Sequence, residues 1–421
     1  MAAVIHLDEP GQAGYPVHHR LAQLLAQPQA PGPEVEAFLL LALGVWAGDK
    51  LWSRAAAPDA WTRRLRLHLP TTNRWAGLGA PLARLLNLLT GDDWTLVVRE
   101  ARMALGLAGE WPHPWRPQAV VLFSGGLDSL VGVIDRLEAG QRLVLVSHYD
   151  FGQLAATQQA LAAALAGHYG PGRLHHLPLR VQFPESQELT LRSRSLLYLA
   201  LGLAGAAAFG EETPLIVPEN GWVSLNPPLT LNRLGTYSTR TTHPCFLGRL
   251  AGLWREAGIL NTLVNPYQEA TKGEMLERCR NPALLQQLVP LTVSCARPVV
   301  FRWQGGPAGS CGYCYPCLLR RAALHRLGWD GGGDYRVDVL AAPEILGHRT
   351  RGRDLRALLL ALKTWEEAPG DLMARLWLGD SPAAAAACYR RARPLLASGF
   401  AELAQFFRDK GPRWAKTYVG W

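Results

Sequence analysis

From residue 118 onward, short apolar runs alternate with longer helical stretches, and this rhythm restricts the fold more than any other feature of the chain. "AVVLFS" reads as a buried strand and "DSLVGVIDRLEAG" as a helix with glycine near its end. "RLVLVSHYDF", "QLAATQQALAAALAGHYG" and "RLHHLPLRV" repeat strand, helix and strand, and the helix "ELTLRSRSLLYLALGLAGAAAFG" leads into the strand "TPLIVPEN". Strands separated by helices pair in parallel, with helices covering both faces. The expected class is therefore α/β, and ligand groups should gather at the carboxyl ends of the strands.

The flanks read differently. Residues 1 to 115 hold an apolar helical stretch at 35 to 47 and the alternating runs "RRLRLHLP" and "DDWTLVVRE", which predict an α+β extension. "GEWPHPWRPQ", with three prolines, marks the connection into a central unit at 116 to 335. Within that unit, 222 to 290 reads as loop and helix, with "NPPLTLNRLG" a surface or lid loop. Residues 336 to 421 read as mainly helical with a short polar and aromatic tail. At 421 residues the chain suits two or three domains. "FLLLALGVWAG" and "LLYLALGLAGAAAFG" are too short for membrane spans and read as core helices. No leader pattern opens the sequence, so a cytoplasmic location is expected. The net charge of +9 favours anionic partners, which keeps nucleic acid open, although no standard RNA-binding module is recognisable.

Ser124, Gly125 and Gly126 follow "VVLF" at a strand's carboxyl end, and Asp128 and Ser129 fall at the start of the next helix. Glycines admit an anion close to the backbone, and the helix terminus offers amides and a favourable dipole. Asp128 repels phosphate, so it should either hold magnesium or fix the loop. The plainer alternative is a glycine turn with Asp128 and Ser129 as caps. Further polar residues lie at or beyond strand ends: His148, Tyr149 and Asp150; Arg192 and Arg194; Glu219 and Asn220; Lys272 and Glu274. Lys272 and Arg194 are candidates to neutralise phosphate, and Glu219 and Asn220 to meet an acceptor substrate or a second cation.

Of seven cysteines, Cys311, Cys314 and Cys317 stand with two residues between neighbours, and fifteen residues separate Cys295 from the first of them. That spacing brings three thiolates to one centre and lets Cys295 complete a tetrahedral zinc site, with an iron–sulfur cluster as the competing reading. Cys245, Cys279 and Cys388 read as ordinary thiols.

"SGGLDS" resembles the signature loop of the PP-loop ATP pyrophosphatase family. The resemblance implies an adenine nucleotide alpha hydrolase-like fold and cleavage of ATP between its α and β phosphates. In that mapping Ser124, Gly125, Gly126, Asp128 and Ser129 hold pyrophosphate and Mg2+, with Asp128 as the magnesium ligand. It adds Arg194 at the phosphates or adenylate, while His148, Tyr149 and Asp150, from their place at the end of the second strand, are candidates either to line the nucleoside pocket or to form an ordinary polar loop. With the cysteine pattern, residues 118 to 330 resemble 7-cyano-7-deazaguanine synthases, which convert a 7-carboxy-7-deazaguanine to its nitrile with ATP and ammonia. The chain departs from them at "STRTTHPCFLG", which lacks the aspartates expected there, and in its long flanks. Those departures look more like the synthase-like component of the Qat anti-phage defence system. This resemblance implies a deazaguanine-like base as substrate and a companion defence protein as a candidate acceptor. Housekeeping nitrile synthesis, nucleic-acid modification and an ATP-binding assembly subunit are the alternatives.

Overall fold

The computed structural model describes residues 3–6, 18–19, 28–100, 107, 109–149, 152–183, 186–188, 191–231, 240, 242–298, 309–376 and 382–421. The N-terminal part supplies β1 (Ala3–His6), β2 (His18–His19), α1 (Pro33–Leu51), β3 (Arg64–Thr71), α2 (Asn73–Ala76), α3 (Gly79–Thr90) and β4 (Asp93–Glu100). The central part begins with β5 (Ala119–Leu122), α4 (Leu127–Glu138), β6 (Leu143–His148), α5 (Gly152–Tyr169), β7 (Leu174–Leu179) and β8 (Val181–Gln182). It continues with α6 (Arg194–Ala207), β9 (Leu215–Ile216), α7 (Gly221–Leu225), α8 (Pro244–Glu256), β10 (Leu263–Val264), α9 (Lys272–Glu277), α10 (Pro282–Leu288) and α11 (Tyr315–Arg326). Last come α12 (Glu344–Gly347), α13 (Arg353–Glu367), α14 (Pro369–Ala374), α15 (Pro382–Lys410) and α16 (Arg413–Val419).

The central sheet has the order β10-β9-β5-β6-β7, and every pairing is parallel. Successive side chains on a strand face opposite ways. Val120, Leu122, Val144 and Val146 accordingly join the core with α6, whereas Ala119, Val121, Leu143 and Leu145 join the core with α4 and α5. Each fully buried Val or Leu among them contributes about 1.5–3 kcal/mol. Helices cover both faces, as the alternation of strand and helix in the sequence predicts.

Three details differ from the sequence reading. β10 is a fifth strand inside the stretch expected to be loop and helix, too short to show a period of two. The N-terminal strands β1, β3 and β4 form a parallel sheet with helices between them, so the described part of this region is α/β and not α+β. The presumed tail folds as α16, with Ala415 and Val419 buried. "NPPLTLNRLG" lies in part outside the described residues.

α1 packs on both β3 and α6, so the N-terminal core runs without a break into the α6 face of the central sheet. Phe38 of α1 stacks on Trp75 at 5.8 Å and meets Trp254 of α8 edge-on at 5.4 Å. The C-terminal helices form a separate core in which Phe400 of α15 is edge-on to Trp222 of α7 at 4.9 Å and stacked on Trp365 of α13 at 4.7 Å. Among the described residues, no helix is long and apolar enough to cross a membrane.

Glu402 of α15 joins this C-terminal layer to the start of α9. Its carboxylate accepts hydrogen bonds from Thr271 Oγ1 at 2.7 Å and from Gly273 N at 3.1 Å. Burial nevertheless pushes its pKa up from 4.5 to about 7, against those bonds and the nearby charge of Arg326. Between pH 4.5 and 7 the folded chain therefore keeps a proton that the unfolded chain has released, and stability falls as pH rises through this window. Glu402→Gln keeps an acceptor but cannot ionise. Urea unfolding at the two pH values should show the variant gaining about 3 kcal/mol on the wild type across the window. Parallel stability curves for the two proteins would refute a buried, proton-holding Glu402.

Candidate functional site

The Ser124–Gly126 loop leaves β5 at the middle of the sheet and turns into α4. Gly125 has φ +82°, a left-handed conformation, and a Cβ there would lie 3.1 Å from Gln158 Cγ, so glycine suits this position on both counts. Ser124 Oγ accepts from Gly126 N at 3.3 Å and donates to Ser129 Oγ at 3.3 Å, while Ser129 Oγ donates to Gly126 O at 2.9 Å. The two serines thus fix the shape of the loop. Gln158 of α5, fully buried, donates its side-chain amide to Ser124 O at 3.1 Å and His148 O at 3.4 Å, tying the ends of β5 and β6 together. Arg194, the first residue of α6, reaches the same His148 carbonyl at 3.2 Å and His148 Nδ1 at 3.4 Å.

Asp128 is the hub of the site. Its Oδ2 accepts from Asn220 N at 3.1 Å and from Asn220 Nδ2 at 2.6 Å, and its Oδ1 is paired with Lys272 Nζ. Asn220 also caps α7, accepting from Val223 N at 3.0 Å. Burial favours the neutral acid at Asp128. The charge of Lys272 and the hydrogen bonds from Glu219, Lys272 and Asn220 outweigh it and hold the pKa below the ordinary value. Glu219 moves the opposite way. Burial, the charge of Asp128 and its hydrogen bond to Asp128 hold it well above the usual carboxylate range, only partly offset by Lys272. The two shifts run in opposite directions, so the site favours charge on Asp128 and the neutral form of Glu219.

This geometry gives Asp128 a loop-fixing role. Asn220 N, Asn220 Nδ2 and Lys272 Nζ meet its two oxygens, and Glu219 hydrogen-bonds to the same carboxylate. Lys272 is likewise engaged by Asp128. Glu274 forms a capping box with Thr271 at the start of α9, the plain structural role. Arg192 turns to the N-terminal layer, donating to Thr90 O at 2.8 Å and lying over the Trp61 ring at 4.4 Å. Tyr149 is buried beneath Arg180 at 5.9 Å, and Asp150 lies outside the described residues.

The four cysteines converge where α11 begins. Cys314 is its N-cap residue, Cys317 lies in its first turn, and Cys295 arrives from the segment after α10. The sulfurs lie within 4.8 Å of one another, with Cys295–Cys314 at 3.8 Å and Cys311–Cys317 at 3.9 Å. Tetrahedral zinc with Zn–S bonds of about 2.3 Å sets sulfurs about 3.8 Å apart, so the donor set fits one ion. An iron–sulfur cluster spreads its thiolates over separate irons and fits less well. Gly312 in the turn between Cys311 and Cys314 has φ +88°, and a Cβ there would lie 1.9 Å from Val337 O. Of the thiols read as ordinary, Cys279 is buried, which pushes its pKa up to about 12, and the Cys388 side chain is outside the described residues.

The metal centre and the glycine loop share one segment. Val293 N donates to Gly125 O at 3.0 Å, and Leu127 N, at the start of α4, donates to Ser294 Oγ at 3.1 Å. Arg320 of α11 anchors the same segment through Thr292 Oγ1 at 2.5 Å and Val289 O at 2.8 Å. Sequence reasoning missed Ser294 and Gln158. Ser294 stands directly before Cys295, which was a usable signal, whereas Gln158 sits in a polar helix with nothing to mark its burial.

Comparison with curated proteins finds three 7-cyano-7-deazaguanine synthases. The synthase of Novosphingobium aromaticivorans is 29% identical over 247 residues, 53% of this chain and 97% of the relative. Those of Parasynechococcus marenigrum and a Synechococcus species are each 26% identical, over 50% of this chain and 93% of the relative. The chain is thus distantly similar to nearly the whole of each synthase, and about half of it lies beyond the similarity. No family model matches, and no solved structure matches.

Removing one member of the buried Asp128–Lys272 pair strands the other. Lys272→Met should cost about 3–5 kcal/mol in urea unfolding, and adding Asp128→Asn should recover part of that loss. Strictly additive losses in the double-variant cycle would argue against direct pairing. Elemental analysis should find about one zinc per chain, with loss of metal and a lower unfolding midpoint in Cys314→Ser. Full metal content in that variant would remove Cys314 from the ligand set.

Proposed function

We propose that this chain is an ATP-dependent, 7-cyano-7-deazaguanine synthase-like enzyme that activates the carboxylate of a 7-carboxy-7-deazaguanine and passes it to nitrogen. The observation that carries this reading is the Ser124–Ser129 strand–loop–helix in the middle strand of a parallel sheet, in a chain similar to almost the full length of such synthases. Residues 116–335 are taken as the catalytic unit, and 1–115 and 336–421 as added layers.

The chemistry asks little covalent work of the protein. A carboxylate oxygen of the base attacks the α phosphorus of ATP, the bond to the β-phosphate oxygen breaks, and pyrophosphate leaves. Ammonia then attacks the acyl carbon and gives up a proton, and AMP departs with the former carboxylate oxygen, leaving the amide. The amide oxygen then attacks the α phosphorus of a second ATP, releasing a second pyrophosphate, and loss of AMP and two protons from nitrogen gives the nitrile. The loop's contribution is oriented donors. Hydroxyls of Ser124 and Ser294 now accept from the amides of Gly126 and Leu127, and phosphate oxygens replace them there. Arg194 supplies positive charge at the same sheet edge. Glu219, carrying its proton beside Asp128, is a donor for the leaving oxygen or for the base. Mg2+, when it accompanies ATP, screens the phosphates. Zinc on Cys295, Cys311, Cys314 and Cys317 is structural, since four thiolates leave no open position.

The named relatives support free-base chemistry over anti-phage conjugation to a companion protein, and that narrower role draws only on the layers outside the similarity. Zinc-loaded protein with Mg-ATP and 7-carboxy-7-deazaguanine should release AMP and pyrophosphate and, with ammonium, yield amide and nitrile masses. Gly126→Val should abolish AMP release while keeping the fold. If acyl transfer to an added N-terminal peptide amine occurs and transfer to ammonia does not, the conjugating role replaces the synthase role. Absence of AMP under every condition would sink both.

A further inference from the structure

We propose that Asp49, acting through Ser193, is a positioning residue for the nucleotide site, so that the N-terminal layer is part of the machinery holding Arg194 in place. The inference rests on the nucleotide reading of that site and extends it to a region lying far from the glycine loop in sequence.

Asp49, near the end of α1, is wholly buried. Its carboxylate accepts from Arg63 NH2 at 2.7 Å and Arg54 NH2 at 3.5 Å, and the same two guanidiniums clasp Asp92 at 2.7 and 2.8 Å. Two acids and two bases thus form a closed, buried set. The other oxygen of Asp49 leaves that set. Oδ2 accepts from Ser193 N at 3.1 Å and Ser193 Oγ at 2.7 Å.

Ser193 is the N-cap residue of α6, yet its hydroxyl makes no cap bond to the helix. It points back to the N-terminal layer and fixes the residue immediately before Arg194. The approach to α6 is held from the same side. Gln187 N and Glu188 N donate to Lys50 O at 2.9 and 3.1 Å, and Arg54 N donates to Glu188 Oε1 at 2.6 Å. Arg192 is drawn to Thr90 O at 2.8 Å. The segment before Arg194 is therefore clamped by α1 and α3, while the Arg194 head lies on the His148 carbonyl that Gln158 also holds. A continuous polar path runs from Asp49 through Ser193, Arg194, His148 and Gln158 to Ser124.

A buried carboxylate can be retained for stability alone, but stability does not require its second oxygen to hold a helix-capping serine. Ser193→Ala separates the two roles. It removes the hydroxyl bond, leaves the Ser193 amide bond position, and leaves the Arg54–Arg63–Asp92 set intact.

The test is titration of the purified full chain with a fluorescent ATP analogue in the presence of Mg2+, alongside urea unfolding. Ser193→Ala should bind about 5–20-fold more weakly under conditions where urea unfolding shows it still fully folded, although its midpoint falls, and Ser193→Thr, which keeps the hydroxyl, should bind as the wild type does. The Ser193→Ala, Arg194→Ala double variant should be no weaker than Arg194→Ala, because both remove one contribution. Wild-type affinity in Ser193→Ala, or additive losses in the double variant, would overturn the proposal while leaving the nucleotide site standing. A wild-type chain that fails to bind the analogue would fail the functional reading itself.

Discussion

A charged carboxylate buried beneath a glycine loop is a constraint to which other parts of this molecule must answer. Asp128 sits in the first turn of α4, where the helix dipole favours it, but burial opposes its charge. The balance requires Lys272 from α9 and Asn220 from the end of β9 to arrive at once. Asn220 in turn caps α7, whose Trp222 lies in the C-terminal core, and α9 is tied to α15 by Glu402. The ion pair joins the middle of the sheet to α9 across 144 residues of sequence, and the Thr271–Glu402 bond carries the connection a further 131 residues to the C-terminal helices.

The same hub separates two acids by environment. A cation and three hydrogen bonds hold the pKa of Asp128 down, whereas burial and a neighbouring negative charge hold that of Glu219 up. Such a pair offers a donor and a fixed anion within one site without any histidine between them. Three supports then converge on the loop and its neighbours: Ser294 from the metal-binding segment, Gln158 from α5, and Arg194 from the start of α6. Each is set by a different part of the chain, so the geometry of the loop depends on several layers folding correctly.

Much of this was legible in the sequence, for reasons that can be named. The four major strands were visible because each is a short apolar run bounded by helical periodicity, and the loop because two glycines follow a strand directly. The cysteine site was legible because metal ligation imposes a spacing that chance rarely repeats. β10 was not, since two half-buried residues carry no periodic signal. The parallel pairing of β1, β3 and β4 was also hidden, because alternation reports that a strand has two faces and says nothing of its neighbour's direction. Single residues were harder still. Arg192 and Arg194 look alike in "LRSRS", yet only two positions apart they point to the N-terminal layer and to the sheet end. The pairing of Lys272 with Asp128 was invisible because the partner lies 144 residues away, and long-range pairing leaves no local trace.

The added layers have a physical reason to be more than appendages. A site built from a strand-end loop and the tips of three helices depends on angles that short connections do not hold by themselves, and displacement of a catalytic contact by about 1 Å is enough to weaken it severely. In this chain α1 fixes the entry to α6 from one side through Asp49, and α15 fixes the entry to α9 from another through Glu402. Arg194 begins the first of these helices and Lys272 the second, so each charged group that approaches the loop is the first residue of a helix whose start is pinned by a carboxylate from a flanking layer. The carboxylates themselves differ: Asp49 is neutralised by two arginines, whereas burial raises the pKa of Glu402 to about 7. The C-terminal support therefore changes its charge as pH rises from the usual carboxylate range toward about 7. The two flanks hold equivalent positions in the site by unequal means, which makes the α9 side, with Lys272 and Asp128, the part of the site that responds to its surroundings.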